Sequence, residues 1–129
     1  MTTPRIIGTG YHVVDLERSL DFYTRILGMV ESRRFEFPGV REVLLKCQDH
    51  DDAPAVVLVH RDDAPGPFEL GDAYGRLIVA VDDTRAVVRE VVGEGLEVEM
   101  EPSTFDETGA TIAVVKDPDG FRVELVQSS

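Results

Sequence analysis

The apolar residues in the first half of the chain follow two spacings, one typical of strands and one typical of a helix. Asp15 is suited to cap a helix, and Gly28 is suited to end one. Between them, apolar side chains recur at steps of four, three and four residues, at Leu16, Leu20, Tyr23 and Leu27. This spacing predicts one apolar stripe on a helix. The flanking β-branched and aromatic runs predict strands over 6–14, Met29–Phe37, Val40–Cys47 and Ala55–His60, which gives the order β-α-β-β-β.

The second half of the chain predicts the same order of elements again. Asp82 or Asp83 caps the second helix, and the turn Asp117-Pro118-Asp119-Gly120 joins the last two strands. The predicted elements are a strand over Leu77–Val81, a helix over Ala86–Val92 ending at Gly93 or Gly95, and strands over Leu96–Met100, Ala110–Lys116 and Phe121–Val126. A unit of roughly 55–60 residues therefore repeats. Module one is predicted over 5–61, a connector rich in Asp, Pro and Gly over 62–74, and module two over 75–127.

The repeat predicts where a ligand binds. One helix covers only one face of a three- or four-stranded sheet, so the other face of each module needs a partner. We expect the two sheets to curl toward each other and to leave a cleft lined by inward-facing strand residues. Ligand pockets favour such interfaces, so a small molecule is the predicted partner. Because duplicated modules tend to pair across chains, a homodimer is the expected assembly.

Composition and charge narrow the classes of partner. The 129 residues include 13 Lys and Arg against 25 Asp and Glu, for a net charge of −12. This balance argues against nucleic acid and anionic membranes, which need clustered basic residues. No apolar stretch approaches the roughly 18 residues of a membrane span. A single cysteine, Cys47, indicates a reducing compartment, so we predict a cytoplasmic protein and interpret Cys47 as an inert core residue.

Three segments carry a resemblance to a known family. They are Asp15-Leu16-Glu17-Arg18-Ser19-Leu20-Asp21-Phe22-Tyr23 followed by Leu27-Gly28-Met29, then Phe68-Glu69-Leu70-Gly71-Asp72-Ala73-Tyr74-Gly75, and finally Lys116-Asp117-Pro118-Asp119-Gly120-Phe121-Arg122-Val123-Glu124-Leu125. They resemble segments of the vicinal oxygen chelate superfamily, which includes glyoxalase I, extradiol dioxygenases and bleomycin-resistance proteins. The motifs are most similar to bacterial glyoxalase I. The resemblance implies an α+β fold of two tandem βαβββ modules that form a curved sheet cleft.

The resemblance also implies a metal site built from four strands. In glyoxalase I its ligands are His, Glu or Gln, His and Glu, which suit a divalent ion. The corresponding positions in this chain are Gly8, Leu58, Arg76 and Glu124. Only Glu124 keeps a metal-binding side chain, and Arg76 brings a fixed positive charge. We therefore expect no metal and no other cofactor at these positions.

The histidines offer an alternative ligand set. His12 lies four residues beyond Gly8, and His60 lies two residues beyond Leu58. Because both separations are even, each histidine is expected to point into the same cleft as the position it follows. With Glu124 they would form a displaced set of two histidines and one carboxylate. Four strand residues span about 13 Å, which is too far for one ion to bridge. We therefore favour histidines bonded to backbone or water, and we interpret His50 as a solvated loop residue.

Arg76 and Glu124 carry the two remaining interpretations of the site. One is a buried salt bridge, in which loss of either partner would cost about 3–5 kcal/mol. The other is functional. Arg76 would bind an anionic or carbonyl oxygen through two parallel hydrogen bonds, and Glu124 would take a proton from the adjacent carbon.

These residues lead to two hypotheses of function. The first is a protein of the glyoxalase and bleomycin-resistance type with a degraded metal site, which binds a small anionic or carbonyl-bearing ligand in the cleft between the modules. Arg76, Glu124, His12, His60 and Leu58 are the predicted ligand-binding residues. The second is a lyase, epimerase or isomerase of the glyoxalase I type, with Glu124 as base and Arg76 as electrophile. No sequence feature supports a purely structural module.

Overall fold

A computed structural model describes residues 3–48 and 55–129, which form two compact units. The first unit ends at Phe68 and the second begins at Glu69. Each unit contains one four-stranded sheet and one helical segment. The predicted pair of βαβββ modules is confirmed, and the acidic loop that contains His50 lies outside the described residues.

The first unit follows the predicted order of elements. These are β1 (Gly8–His12), α1 (Leu16–Asp21) with a π-helical turn (Phe22–Ile26), β2 (Val30–Phe37), β3 (Val40–Lys46) and β4 (Ala55–Arg61). The Asp15 side chain caps α1 by accepting a hydrogen bond from the Arg18 backbone nitrogen at 3.1 Å. Gly28 follows the helical segment with a φ of 84°, a conformation that favours glycine. The strand order is β1-β4-β3-β2, with β1 parallel to β4 and the other pairs antiparallel.

The helical segment of the first unit packs against one face of its sheet. Tyr11, Val43 and Leu58 are buried and lie opposite one another in the strand register. Because side chains alternate along a strand, the neighbours of these residues point to the other face. That open face carries Gly8, Gly10 and His12 from β1 and Val57 and Val59 from β4.

The second unit repeats the topology. Its elements are β5 (Leu77–Ala80), α2 (Thr84–Gly93), β6 (Val98–Thr104), β7 (Thr111–Lys116) and β8 (Arg122–Gln127). Of the two predicted caps, Asp83 is the one used, and its side chain accepts from the Ala86 nitrogen at 3.1 Å. The strand order is β5-β8-β7-β6, again with one parallel pair at the end that carries the first strand.

The strands of the second unit also have one face that α2 covers and an opposite, open face, on which Val114 is a buried exception. Val115 pairs with Val123 and Ala113 with Leu125, and all four side chains are fully buried on the face that α2 covers. Glu124 stands between Val123 and Leu125, so its side chain projects from the open face.

Two further expectations can be compared with the structure. The interpretation of Cys47 as a core residue is wrong: the thiol is exposed, because β3 ends at Lys46 and the buried alternation ends at Leu45. Within the described ranges, neither helix has the length and apolar character of a membrane-crossing segment.

The face assignment of β4 predicts unequal effects of neighbouring substitutions. Leu58→Ala should lower the free energy of unfolding by about 2–5 kcal/mol, because it opens a cavity in a fully buried core. Val59→Ala, on the open face, should cost about 1 kcal/mol or less. Urea unfolding followed by circular dichroism measures both, and equal losses would contradict the face assignment.

Candidate functional site

Arg76 and Glu124 form an ion pair on the open face of the second sheet. The Arg76 Nε donates to Glu124 Oε1 at 2.8 Å. Arg76 directly precedes β5, and Ile78, two residues later on the same face, is the register partner of Glu124. The sequence folds this way because the parallel pairing of β5 with β8 brings two positions 48 residues apart together.

The environment of this pair differs from the expected buried salt bridge. The Arg76 side chain is 46% exposed, whereas that of Glu124 is 16% exposed. The expectation of a buried pair is therefore wrong for the arginine, which lies just outside β5 and is exposed. A pair with one solvated partner contributes much less to stability than a buried one.

The guanidinium of Arg76 retains hydrogen-bonding capacity. Among residues 3–48 and 55–129, its only hydrogen bond is the one from Nε to Glu124. The two Nη groups are therefore unpartnered within the described chain, and their planar arrangement suits two parallel hydrogen bonds to one oxyanion or carboxylate. Ile78 beside the pair is 59% exposed, which supplies an apolar surface next to these donors.

Further ion pairs lie at the ends of β6, β7 and β8. Arg122 Nε lies 2.7 Å from Glu99 Oε1, and Lys116 Nζ lies 2.9 Å from Glu97 Oε2. The hydrogen bond that Arg122 donates to Glu99 raises the pKa of its guanidinium above the ordinary value, and the charge of Glu99 acts in the same direction. Arg122 is thus held by a carboxylate through its Nε, as Arg76 is, and Arg76 differs in having the exposed Ile78 beside its pair.

The two histidines do not share a face of the first sheet. His12 is exposed on the open face, with its ring centroid 6.0 Å from that of Phe68. His60 has the same strand parity as the buried Leu58, and its Nδ1 lies 3.0 Å from the carbonyl oxygen of Val13. The expectation that both imidazoles point into one cleft is therefore wrong, since the parity of β4 turns His60 toward the helix side. The preferred interpretation of His60 as a backbone-bonded residue agrees with this contact.

Leu58 has a different position from that expected of a ligand-binding residue. Its side chain is fully buried with Tyr11 and Val43, on the face opposite Gly8. The open-face residues of β4 are Val57 and Val59, which the resemblance to the family did not indicate. The signal that would have found them is the alternation of burial along β4, which sequence periodicity does not reveal in a uniformly apolar strand.

The positions implied for a metal contain few donors. Gly8 has no side chain, and β4 has no polar side chain before His60. The carboxylate of Glu124 is already paired with Arg76. Within each unit, the described residues contain no group of three His, Cys, Asp or Glu side chains that could hold a metal ion.

Comparison with known proteins places these features in context. The profile of the Glyoxalase/Bleomycin resistance protein/Dioxygenase superfamily matches residues 5–125. A lactoylglutathione lyase of Neisseria meningitidis serogroup A is 36% identical over 125 residues, which cover 95% of this chain and 90% of that protein. The trypanothione-dependent glyoxalase I of Leishmania major aligns with a TM-score of 0.84 at 27% identity, covering 97% of this chain and 87% of that one. Glyoxalase I from Zea mays aligns with a TM-score of 0.85 at 26% identity, and the match covers 97% of this chain and 45% of the maize chain.

The partial exposure of the ion pair predicts a small energetic coupling. A double-mutant cycle of Arg76→Gln and Glu124→Gln should give a coupling of about 1 kcal/mol or less. Urea unfolding measures the four free energies. The equivalent cycle of Arg122→Gln and Glu99→Gln is the matched control, since its side chains are 42% and 37% exposed. A coupling of several kcal/mol for the first cycle alone would instead support the interpretation of Arg76 and Glu124 as a buried salt bridge.

Proposed function

This chain belongs to the glyoxalase/bleomycin resistance protein/dioxygenase superfamily, and from that premise we propose that it binds a small carbonyl-bearing or anionic organic molecule through Arg76. The observation that carries the proposal is the geometry of Arg76. Its Nε is fixed by Glu124 at 2.8 Å, while its two Nη groups stay available on a half-exposed side chain. A guanidinium oriented in this way binds with less loss of side-chain freedom than an unpaired one.

The proposal includes the absence of the family's divalent ion. The residues at the implied positions do not fit such an ion, because Gly8 and the apolar side chains of β4 offer no ligand. The one remaining carboxylate, Glu124, has a guanidinium as its neighbour. Arg76 supplies instead a permanent positive charge that can stabilise an oxyanion. A homodimer, cytoplasmic location and a cleft shared by the two modules remain predictions from the sequence.

The ligand chemistry follows from the groups around Arg76. Two Nη donors favour a carboxylate or an oxygen with enolate character. The exposed Ile78 favours a short apolar substituent next to that oxygen. The Glu124 carboxylate disfavours a second negative group on its side of the pair.

The second candidate function is a lyase, epimerase or isomerase reaction. Glu124 Oε1 is bound to Arg76, and Oε2 has no hydrogen-bond partner among the described residues. If Arg76 held a carbonyl oxygen, Oε2 would be placed to take a proton from the neighbouring carbon. The C–H electron pair would then become the enolate, with its negative charge on the oxygen beside Arg76, and the proton would return to a carbon to complete the reaction. The relative named lactoylglutathione lyase supports this class of reaction.

Replacement of Arg76 tests the binding proposal. Isothermal titration against 2-oxo acids, 2-hydroxy acids and glutathione thiohemiacetals should find a ligand whose affinity falls about tenfold or more in Arg76→Gln, since a lost charged hydrogen bond costs about 1.5–3 kcal/mol. Arg122→Gln is the matched control, because it removes an arginine of similar exposure that is paired through its Nε in the same way, with Glu99 at 2.7 Å. Equal affinity in both variants and in the wild-type protein would refute the role of Arg76.

Replacement of Glu124 separates binding from catalysis. Glu124→Gln should keep the ligand affinity within a few-fold and abolish exchange of the substrate carbon-bound proton for deuterium, measured by proton NMR in heavy water. Retained exchange would exclude Glu124 as the base. In the same preparation, elemental analysis of protein purified without chelators should show less than stoichiometric divalent metal, and a full equivalent would overturn the metal-free proposal.

A further inference from the structure

A groove lies beside α2, next to the edge strand of the second sheet. It is an open groove of about 370 Å³, lined by Arg85, Val88 and Arg89 from α2 and by Glu101 and Pro102 from β6. The buried Val88 and the part-buried Pro102 form an apolar floor. The exposed Arg85 and Arg89 stand on the α2 side and the exposed Glu101 on the β6 side.

The two arginines are placed to act on one ligand. They are four residues apart on a helix, so their side chains leave the same face about 5–6 Å apart. Like charges at this spacing destabilise a helix unless an anion lies between them. Neither guanidinium has an ion pair or side-chain hydrogen bond within residues 3–48 and 55–129.

Arg85 and Arg89 differ in this respect from the five arginines of the described residues that carboxylates hold. Asp and Glu outnumber Lys and Arg by 25 to 13. Carboxylates accordingly hold Arg25, Arg34, Arg61, Arg76 and Arg122. On α2, the positions three and four residues from Arg89 are Ala86, Val92, Arg85 and Gly93, so the helix offers it no acidic partner. Two adjacent cations that form no ion pair within the described residues indicate a locally positive side of the groove, opposite the Glu101 carboxylate.

We propose that this groove is a second binding site, which takes a small organic anion with an apolar body. The anionic group, a carboxylate, lies between Arg85 and Arg89, where it can accept charge-assisted hydrogen bonds from both. The apolar body covers Val88 and Pro102, and a hydrogen-bond donor at the far end of the ligand meets the Glu101 carboxylate.

This site is separate from the Arg76–Glu124 pair. α2 packs on the face of the second sheet that holds Val123 and Leu125, whereas Glu124 projects from the opposite face. The proposal of a second binding site therefore does not depend on the proposed function of Arg76.

The test uses 4-hydroxybenzoate as a probe, because it combines a carboxylate, an apolar ring and a hydroxyl donor. Titration of the ¹⁵N-labelled full chain should give saturable shifts at the backbone amides of the groove residues. The Arg85→Gln/Arg89→Gln variant should weaken binding by about tenfold or more. The neutral isostere 4-hydroxybenzamide should bind the wild-type protein more weakly by a similar factor.

A matched variant controls for net charge. Arg18→Gln/Arg41→Gln removes two exposed arginines outside the groove and should bind the probe as the wild-type protein does. The thermal midpoint of Arg85→Gln/Arg89→Gln should be unchanged or raised, because the like-charge pair is gone, so that unfolding does not explain its loss of binding. The proposal is overturned if the shifts do not saturate, if they map away from the groove, or if both double variants lose affinity equally.

Discussion

The coverage of each four-stranded sheet by a single helical segment is the constraint on which the rest of this structure depends. A helix that covers one side of a sheet buries the strand residues that face it, and the residues between them point the other way. Val123 and Leu125 are fully buried, and this fixes the direction of Glu124 between them. In β4 the buried Val56 and Leu58 fix the direction of Val57 and Val59 in the same manner. The strand residues that pack against the helices therefore determine which side chains reach the open faces and what chemistry is possible there.

The acidic composition of the chain places carboxylates beside several of its arginines. On a protein of net charge −12, carboxylates are plentiful, and five of the eleven arginines pair with one at 2.7–3.1 Å within the described residues. Such pairs contribute little to stability when solvent reaches them. Their more important effect is on orientation, since the carboxylate holds one edge of the guanidinium and leaves the other edge available. Arg76 is held in this way through its Nε, so that its direction is fixed while its Nη donors remain unused.

Much of the fold could be predicted from the sequence, because the caps, turns and apolar steps agree with one another. Asp15 and Asp83 both act as caps, and each predicted strand is present with ends shifted by a few residues. The pairing of Arg76 with Glu124 was expected from the family resemblance, and the distance of 2.8 Å agrees with it. The exposure of Arg76 was not predictable, because it depends on where β5 begins rather than on the residue type. Which residues of β4 face the helix was not predictable either, because a run of Ala, Val and Leu has no alternation of polar and apolar residues.

The parity of β4 also limits how a chain of this kind could gain a carboxylate ligand during evolution. A glutamate at position 58 would replace a fully buried leucine and bring an unpaired charge into the core, so selection for folding would remove it before any metal affinity could be selected. A glutamate at position 57 or 59 would instead reach the open face at little cost to folding. Arg76 adds a second barrier, because its permanent charge opposes a cation at Glu124 until it too is replaced. The order in which such substitutions arise would therefore decide whether the intermediate proteins fold. Of the three neighbouring positions of β4, the buried position 58 is closed to a carboxylate by the core alone.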